Sequence, residues 1–140
     1  MVYEESAPEG EQVEALLRDY NAVSGSASSV IAATALVRKL GGFDERLDHL
    51  ADWDLWIRLA DSARGVGCRE VLVRRLLHTR AMHSEGASAA FDEFDLLRRR
   101  HPEVKSREFV RWVAGAHWRA GRPRMALWHL LLGRLRYRRW

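Results

Sequence analysis

From residue 88 onward, apolar residues recur at intervals of three and four and the pattern breaks only at proline and glycine, so that half of the chain reads as helix throughout. Pro102 follows a helix predicted over Ser88 to Arg100, Gly121 follows one over Ser106 to Ala120, and Pro123 opens a last one running to near Trp140. Proline is tolerated in a helix's first turn and glycine just past its end, so this order marks starts and stops rather than kinks. In the middle helix Phe109, Trp112, Val113, Ala116 and Ala120 form one stripe. The last helix is apolar nearly all round from Met125 to Leu132, which predicts packing on several sides. Beyond it Arg134, Arg136, Arg138 and Arg139 project in different directions, toward solvent or a ligand.

The first half is more mixed. Residues 1–10 read as a frayed lead-in. Val13, Leu16, Leu17 and Tyr20 predict an amphipathic helix over Glu11 to Tyr20, and a Ser-rich link follows. Ser29 to Ala33 is a candidate buried strand. Thr34 is a candidate N-cap for a helix over Ala35 to Leu40, with Gly41-Gly42 as its left-handed stop. Trp53, Trp56, Ile57, Ala60 and Ala63 share a face of a helix over Asp52 to Ala63, with Asp52 placed to cap it and Asp54–Arg58 as a surface pair worth about 0.2–0.5 kcal/mol. After a Gly65-Val66-Gly67 turn, Glu70 to Leu77 is a second strand candidate, and His78 to Gly86 reads as loop.

Composition narrows the classes. At 140 residues the chain can bury a core without disulfides or structural metal. Its lone Cys68 excludes an internal disulfide and a cysteine-based zinc site, and suits a reducing, cytoplasmic compartment. Met1 to Glu14 holds five glutamates and no basic residue, unlike a targeting peptide. The most apolar stretches, Ser29 to Val37 and Met125 to Gly133, are too short to span a bilayer. Charge is strongly divided: residues 1–70 hold 7 Lys+Arg against 13 Asp+Glu, and residues 71–140 hold 16 against 6. The basic half suits phosphate, an anionic lipid surface or an acidic partner, whereas the acidic half argues against nucleic-acid coating.

The segment Gly41-Gly42-Phe43-Asp44-Glu45, followed six residues later by Asp52-Trp53-Asp54-Leu55-Trp56-Ile57-Arg58-Leu59, resembles the C-terminal half of family-2 glycosyltransferases, inverting enzymes that use nucleotide-diphosphate sugars. The resemblance extends over about the first 85 residues. It implies an α/β fold, the C-terminal part of a nucleotide-diphospho-sugar transferase with a few short strands, followed by an all-helical tail. Helix would dominate overall. The domain expectation is therefore an acceptor-side half over residues 1–85 and a helical extension over 86–140. By resemblance, Asp52 would be the general base that takes the acceptor hydroxyl's proton, an effect typically worth about 10²- to 10⁴-fold. Trp53, Asp54 and His78 would contact substrate, His78 near the donor phosphates. The complete enzyme would use divalent Mg or Mn, a nucleotide-sugar donor and a glycan or lipid-linked acceptor. Asp52-Trp53-Asp54 spells Asp-x-Asp, yet at a helix start it is not read as the family's metal site, and no residue here is assigned to metal. With no donor-binding half in this sequence, a truncated transferase is expected.

Asp52 on position alone is an N-cap, and His49, His101, His117 and His129 are surface or packing residues. Most tryptophans anchor a core, with Trp53 and Trp140 the functional candidates. The arginine-rich end is a solvated helix terminus, an attachment to the anionic inner membrane leaflet, or, third, a nucleic-acid contact without a recognisable motif. Two functions follow from different classes: sugar transfer with inversion, and a non-catalytic binding or scaffold module held to a membrane or partner by its helical tail.

Overall fold

A computed structural model describes residues 10–23, 26–68, 70, 72–73 and 89–137. The described residues form six α-helices and one 3-10 turn, and no strand. The helices are α1 (Gly10–Asp19), α2 (Thr34–Lys39), α3 (Ala51–Ser62), α4 (Ala89–Arg100), α5 (Arg107–Arg119) and α6 (Pro123–Arg136). The chain divides into two compact units, residues 1–76 and 77–140.

The helical architecture overturns the α/β expectation. Ser29 ends the 3-10 turn Ser26–Ser29, and the candidate strand after it presents Ile31 to solvent at 99% exposure. Leu72 and Val73, inside the second strand candidate, adopt no regular structure and are also exposed. The flanking positions 71 and 74–77 lie outside the described residues, as does the loop after them. A strand is stable only when its backbone groups pair with a neighbour, and neither segment has one among the described residues.

In the first unit α1 packs on α3. Leu17, Leu47, Leu50, Trp53, Leu55, Trp56 and Ile57 form its core. The two helices are pinned by Trp53, whose indole Nε1–H donates to the Leu17 carbonyl at 2.8 Å. That carbonyl lies in the last turn of α1, where backbone acceptors have no partner within the helix. Arg18 and Asp61 add an ion pair between the same helices. α2 ends as its glycines predict. Gly41 and Gly42 have φ of 85° and 69°, and their amides donate to Arg38 and Val37 carbonyls at 3.1 and 2.9 Å, the paired bonds of a Schellman stop.

The second unit is a helical hairpin with α4 beside it. Gly121 (φ 69°) closes α5 in the same way: its amide reaches the Trp118 carbonyl and that of Arg122 reaches His117, at 3.0 and 2.9 Å. Val110 meets Gly133 near the open end and His117 meets His129 near the link, so α5 and α6 run antiparallel. Aromatic rings fill the centre. Phe94 stacks on Phe109 at 3.9 Å between centroids, Phe91 meets Phe109 edge-on at 5.3 Å, and Tyr137 packs against both Phe91 and Phe94. Arg136 grips Asp92 and Asp95, and the Tyr137 hydroxyl donates to Asp95 at 2.8 Å, tying the end of α6 to α4.

Candidate functional site

The start of α3 gathers Asp52, Trp53 and Asp54 on one turn. The helix begins at Ala51 with Leu50 as its N-cap, so Asp52 sits inside the first turn, where its charge faces the positive end of the helix dipole. Its Oδ1 accepts Asn21 Nδ2–H at 3.2 Å and the Trp53 amide at 2.7 Å. Trp53 is 2% exposed, with its indole committed to α1. Asp54 is 1% exposed and Arg58 part-buried, so Asp54–Arg58 is not the surface pair expected. Arg58 Nε–H donates to Asp54 Oδ2 at 2.8 Å, while Nη1 and Nη2 donate to the Leu40 and Gly42 carbonyls at 2.6 and 2.7 Å. One guanidinium thereby ties the stop of α2 to α3. Each bond traced here ends within the first unit, an arrangement that holds α1, α2 and α3 together. His78 lies outside the described residues. No cluster of three or more His, Cys, Asp or Glu capable of holding a metal occurs among the described residues.

The second unit carries a different kind of surface. α6 bears two stripes at three-and-four spacing. The inward one, Ala126, His129 and Gly133, is small enough for α5 to approach closely, and it is buried. The outward one is Arg124, Trp128, Leu131 and Leu135, with Trp128, Leu131 and Leu135 exposed by 58%, 59% and 76%. Met125, Leu127 and, on α5, Trp118 are exposed as well. The expectation that α6 packs on several sides is thus corrected: its bulkiest apolar side chains point away from the core. A contiguous apolar patch of this sort marks a binding surface more often than an idle one.

The hairpin that carries the patch is rich in arginine. After Glu108 the sequence has no Asp or Glu, while eight arginines follow. Of those, Arg119, Arg122, Arg124 and Arg134 are exposed in and beside the hairpin. Arg136 is held by Asp92 and Asp95, and Arg111 by Glu108. Arg138, Arg139 and Trp140 lie outside the described residues. Sequence reasoning singled out Trp140 and the terminal arginines, and missed Trp118, Trp128, Leu131 and Leu135. The usable signal was the pairing of a small-residue stripe with a bulky one on a single helix.

Buried histidines complete the unit. His117 and His129 stack at 4.6 Å with planes 12° apart, and His129 lies parallel to Phe91 within 15° at 5.3 Å. Burial, followed by the charge of Arg122 for His117 and of His117 for His129, pushes both imidazoles below their ordinary value of 6.5. Tyr137 moves the other way: burial, with the bond to Asp95 next, raises its hydroxyl above its ordinary value of 10.0.

No helix among the described residues is long and apolar enough to cross a membrane. No family model matches the chain, nor does any curated protein or solved structure. The resemblance to family-2 glycosyltransferases is therefore not upheld, and a strandless described structure points away from a nucleotide-sugar transferase fold.

Proposed function

We propose that the chain is a non-catalytic binding module whose C-terminal hairpin docks on an anionic lipid surface at the cytoplasmic face of a membrane. The observation that carries this reading is the outward stripe of α6, a row of exposed Trp128, Leu131 and Leu135 set among arginines with no carboxylate later than Glu108. Tryptophan suits the boundary between headgroup and acyl chain because its ring is apolar and its N–H is polar. Arginine suits phosphate because its planar fork donates in pairs and stays charged. A helix with apolar and arginine-bearing outer positions can lie in the interface without spanning it.

The magnitudes are adequate for reversible attachment. Arg119, Arg122, Arg124 and Arg134 at about 1 kcal/mol each give about 4 kcal/mol near an anionic leaflet. Burying Trp128, Leu131 and Leu135 adds about 1.5 kcal/mol or more for each side chain fully covered. Neither contribution suffices alone, so binding requires both negative headgroups and an apolar layer. A nucleic-acid backbone offers the first without the second.

Binding of the chain to phosphatidylglycerol-containing vesicles, followed by tryptophan emission, tests the reading. Expected are a blue shift on anionic vesicles, weakening in high salt, and loss in Trp128→Gln/Leu131→Gln with helicity retained. Unchanged emission on anionic vesicles at low salt overturns it.

A further inference from the structure

The docking helix is held to its neighbour by an unusual contact. Where α5 and α6 approach near their link, the face-to-face partners are His117 and His129, 3% exposed in the case of His129. His117 Nε2 and both ring nitrogens of His129 are buried with no hydrogen-bond partner. A neutral imidazole pair stacks in such a place at modest cost, but a charged one has no counter-ion there and, at three of its four ring nitrogens, no solvent.

The charged groups around the pair are of the wrong sign to help. α4 meets His129 through Phe91, an apolar ring. From the link, Arg122 acts on His117, and each histidine, once charged, repels the other. Asp92 and Asp95 of α4 are engaged by Arg136 and Tyr137, and Glu108 of α5 by Arg111; Glu93, also on α4, is not among the groups that act on either histidine. Arg98 of α4 lies over the Tyr137 ring at 5.3 Å. The third buried histidine of the unit, His101, makes the contrast, since Glu103 Oε1 is 3.9 Å from its Nδ1.

We propose that the His117–His129 stack is a proton-operated latch on the lipid-docking hairpin: protonation separates α6 from α5 and presents its inner stripe, with the outer one, to an anionic bilayer. The proposal rests on the docking reading above. It makes membrane attachment strengthen as the surroundings acidify, because the charge that is unfavourable inside the hairpin is favourable beside anionic headgroups. The same bistable contact that closes the hairpin in neutral solution opens it at the surface.

The test uses the full chain and phosphatidylglycerol vesicles, whose phosphate stays ionised across the range, at about pH 7.5 and about pH 5.5, either side of the ordinary histidine value. Expected is at least about a fivefold rise in vesicle affinity on acidification, abolished in His117→Gln/His129→Gln and kept in His101→Gln. The protection of the α6 amides in the unsubstituted chain without lipid, taken relative to the intrinsic exchange rate at each pH, requires no folded variant and should fall on acidification. Affinity equal at the two pH values overturns the latch and leaves docking standing. Absence of binding at both overturns docking, and the exchange measurement then decides the latch alone: unchanged α6 protection overturns it, and selective loss supports it.

Discussion

Asp54 and Gly133 show how much rests on single positions. With Asp54 1% exposed and Arg58 bonded to it and to two carbonyls, removing the carboxylate leaves a part-buried guanidinium without its counter-charge. Asp54→Ala should therefore cost about 3 kcal/mol in urea unfolding, whereas Glu108→Gln, which breaks an exposed pair with Arg111, should cost no more than about 0.5 kcal/mol. A loss below about 1 kcal/mol for Asp54→Ala would mean the pair contributes like a surface one. At Gly133 an added Cβ would stand 2.5 and 2.6 Å from the two methyl carbons of Val110, closer than carbon atoms pack. Gly133→Ala should lower the stability of the second unit despite a helix-propensity gain of about 1 kcal/mol, since overpacking costs about 1–3 kcal/mol. In a Val110→Ala background the same change should raise stability, and a double-mutant cycle reads the difference.

At the scale of elements, the helix positions were legible because punctuation is local. Each of the long helices begins and ends within about one residue of its predicted bounds, apart from α6, which stops at Arg136 with Tyr137 as its C-cap, short of the end predicted near Trp140. What was not legible depended on partners distant in sequence. Ser29 to Ala33 has strand-like apolarity, but nothing in those residues tells whether a neighbour exists to complete a ladder. Asp54 and Arg58 have the spacing of a solvent pair, and only the return of Leu40 and Gly42 to α3 buries them. α6 concealed its own orientation: apolar all round, it had no polar side from which to infer the inner face. The site at α3 was legible as an acidic helix start and no further, since neither the pinning of Trp53 to Leu17 nor the Asn21 bond to Asp52 has a local signature. The histidine contact makes the second unit sensitive to acid. Both imidazoles are lowered by burial, so the unfolded chain binds more protons than the folded one as pH falls below the ordinary 6.5. The stability of the second unit should be full above that value and decline as acid brings the pH down through the folded values. Denaturant midpoints measured across that interval check the sign, and a midpoint that rises on acidification would contradict it.

For the molecule as a whole, the division of charge visible in the sequence nearly coincides with the division into two compact units. The acidic half forms a unit whose Asp52, Asp54 and Arg58 bond inward, and the basic half forms one that buries its phenylalanines and turns Trp118, Trp128, Leu131 and Leu135 outward. Docking by the second should depend steeply on ionic strength, because exposed arginines act within about 10 Å at 0.1 M salt. Trp128→Gln and Leu131→Gln should leave urea unfolding within about 0.5 kcal/mol, as exposed positions do, while removing vesicle binding. The central claim, that the outward stripe of α6 meets an anionic bilayer, is tested most directly by co-sedimentation of the full chain with phosphatidylglycerol-containing and with purely phosphatidylcholine vesicles at low salt. The account predicts that the chain pellets with the former and stays in solution with the latter; a chain that stays in solution with both, or pellets equally with both, would contradict it.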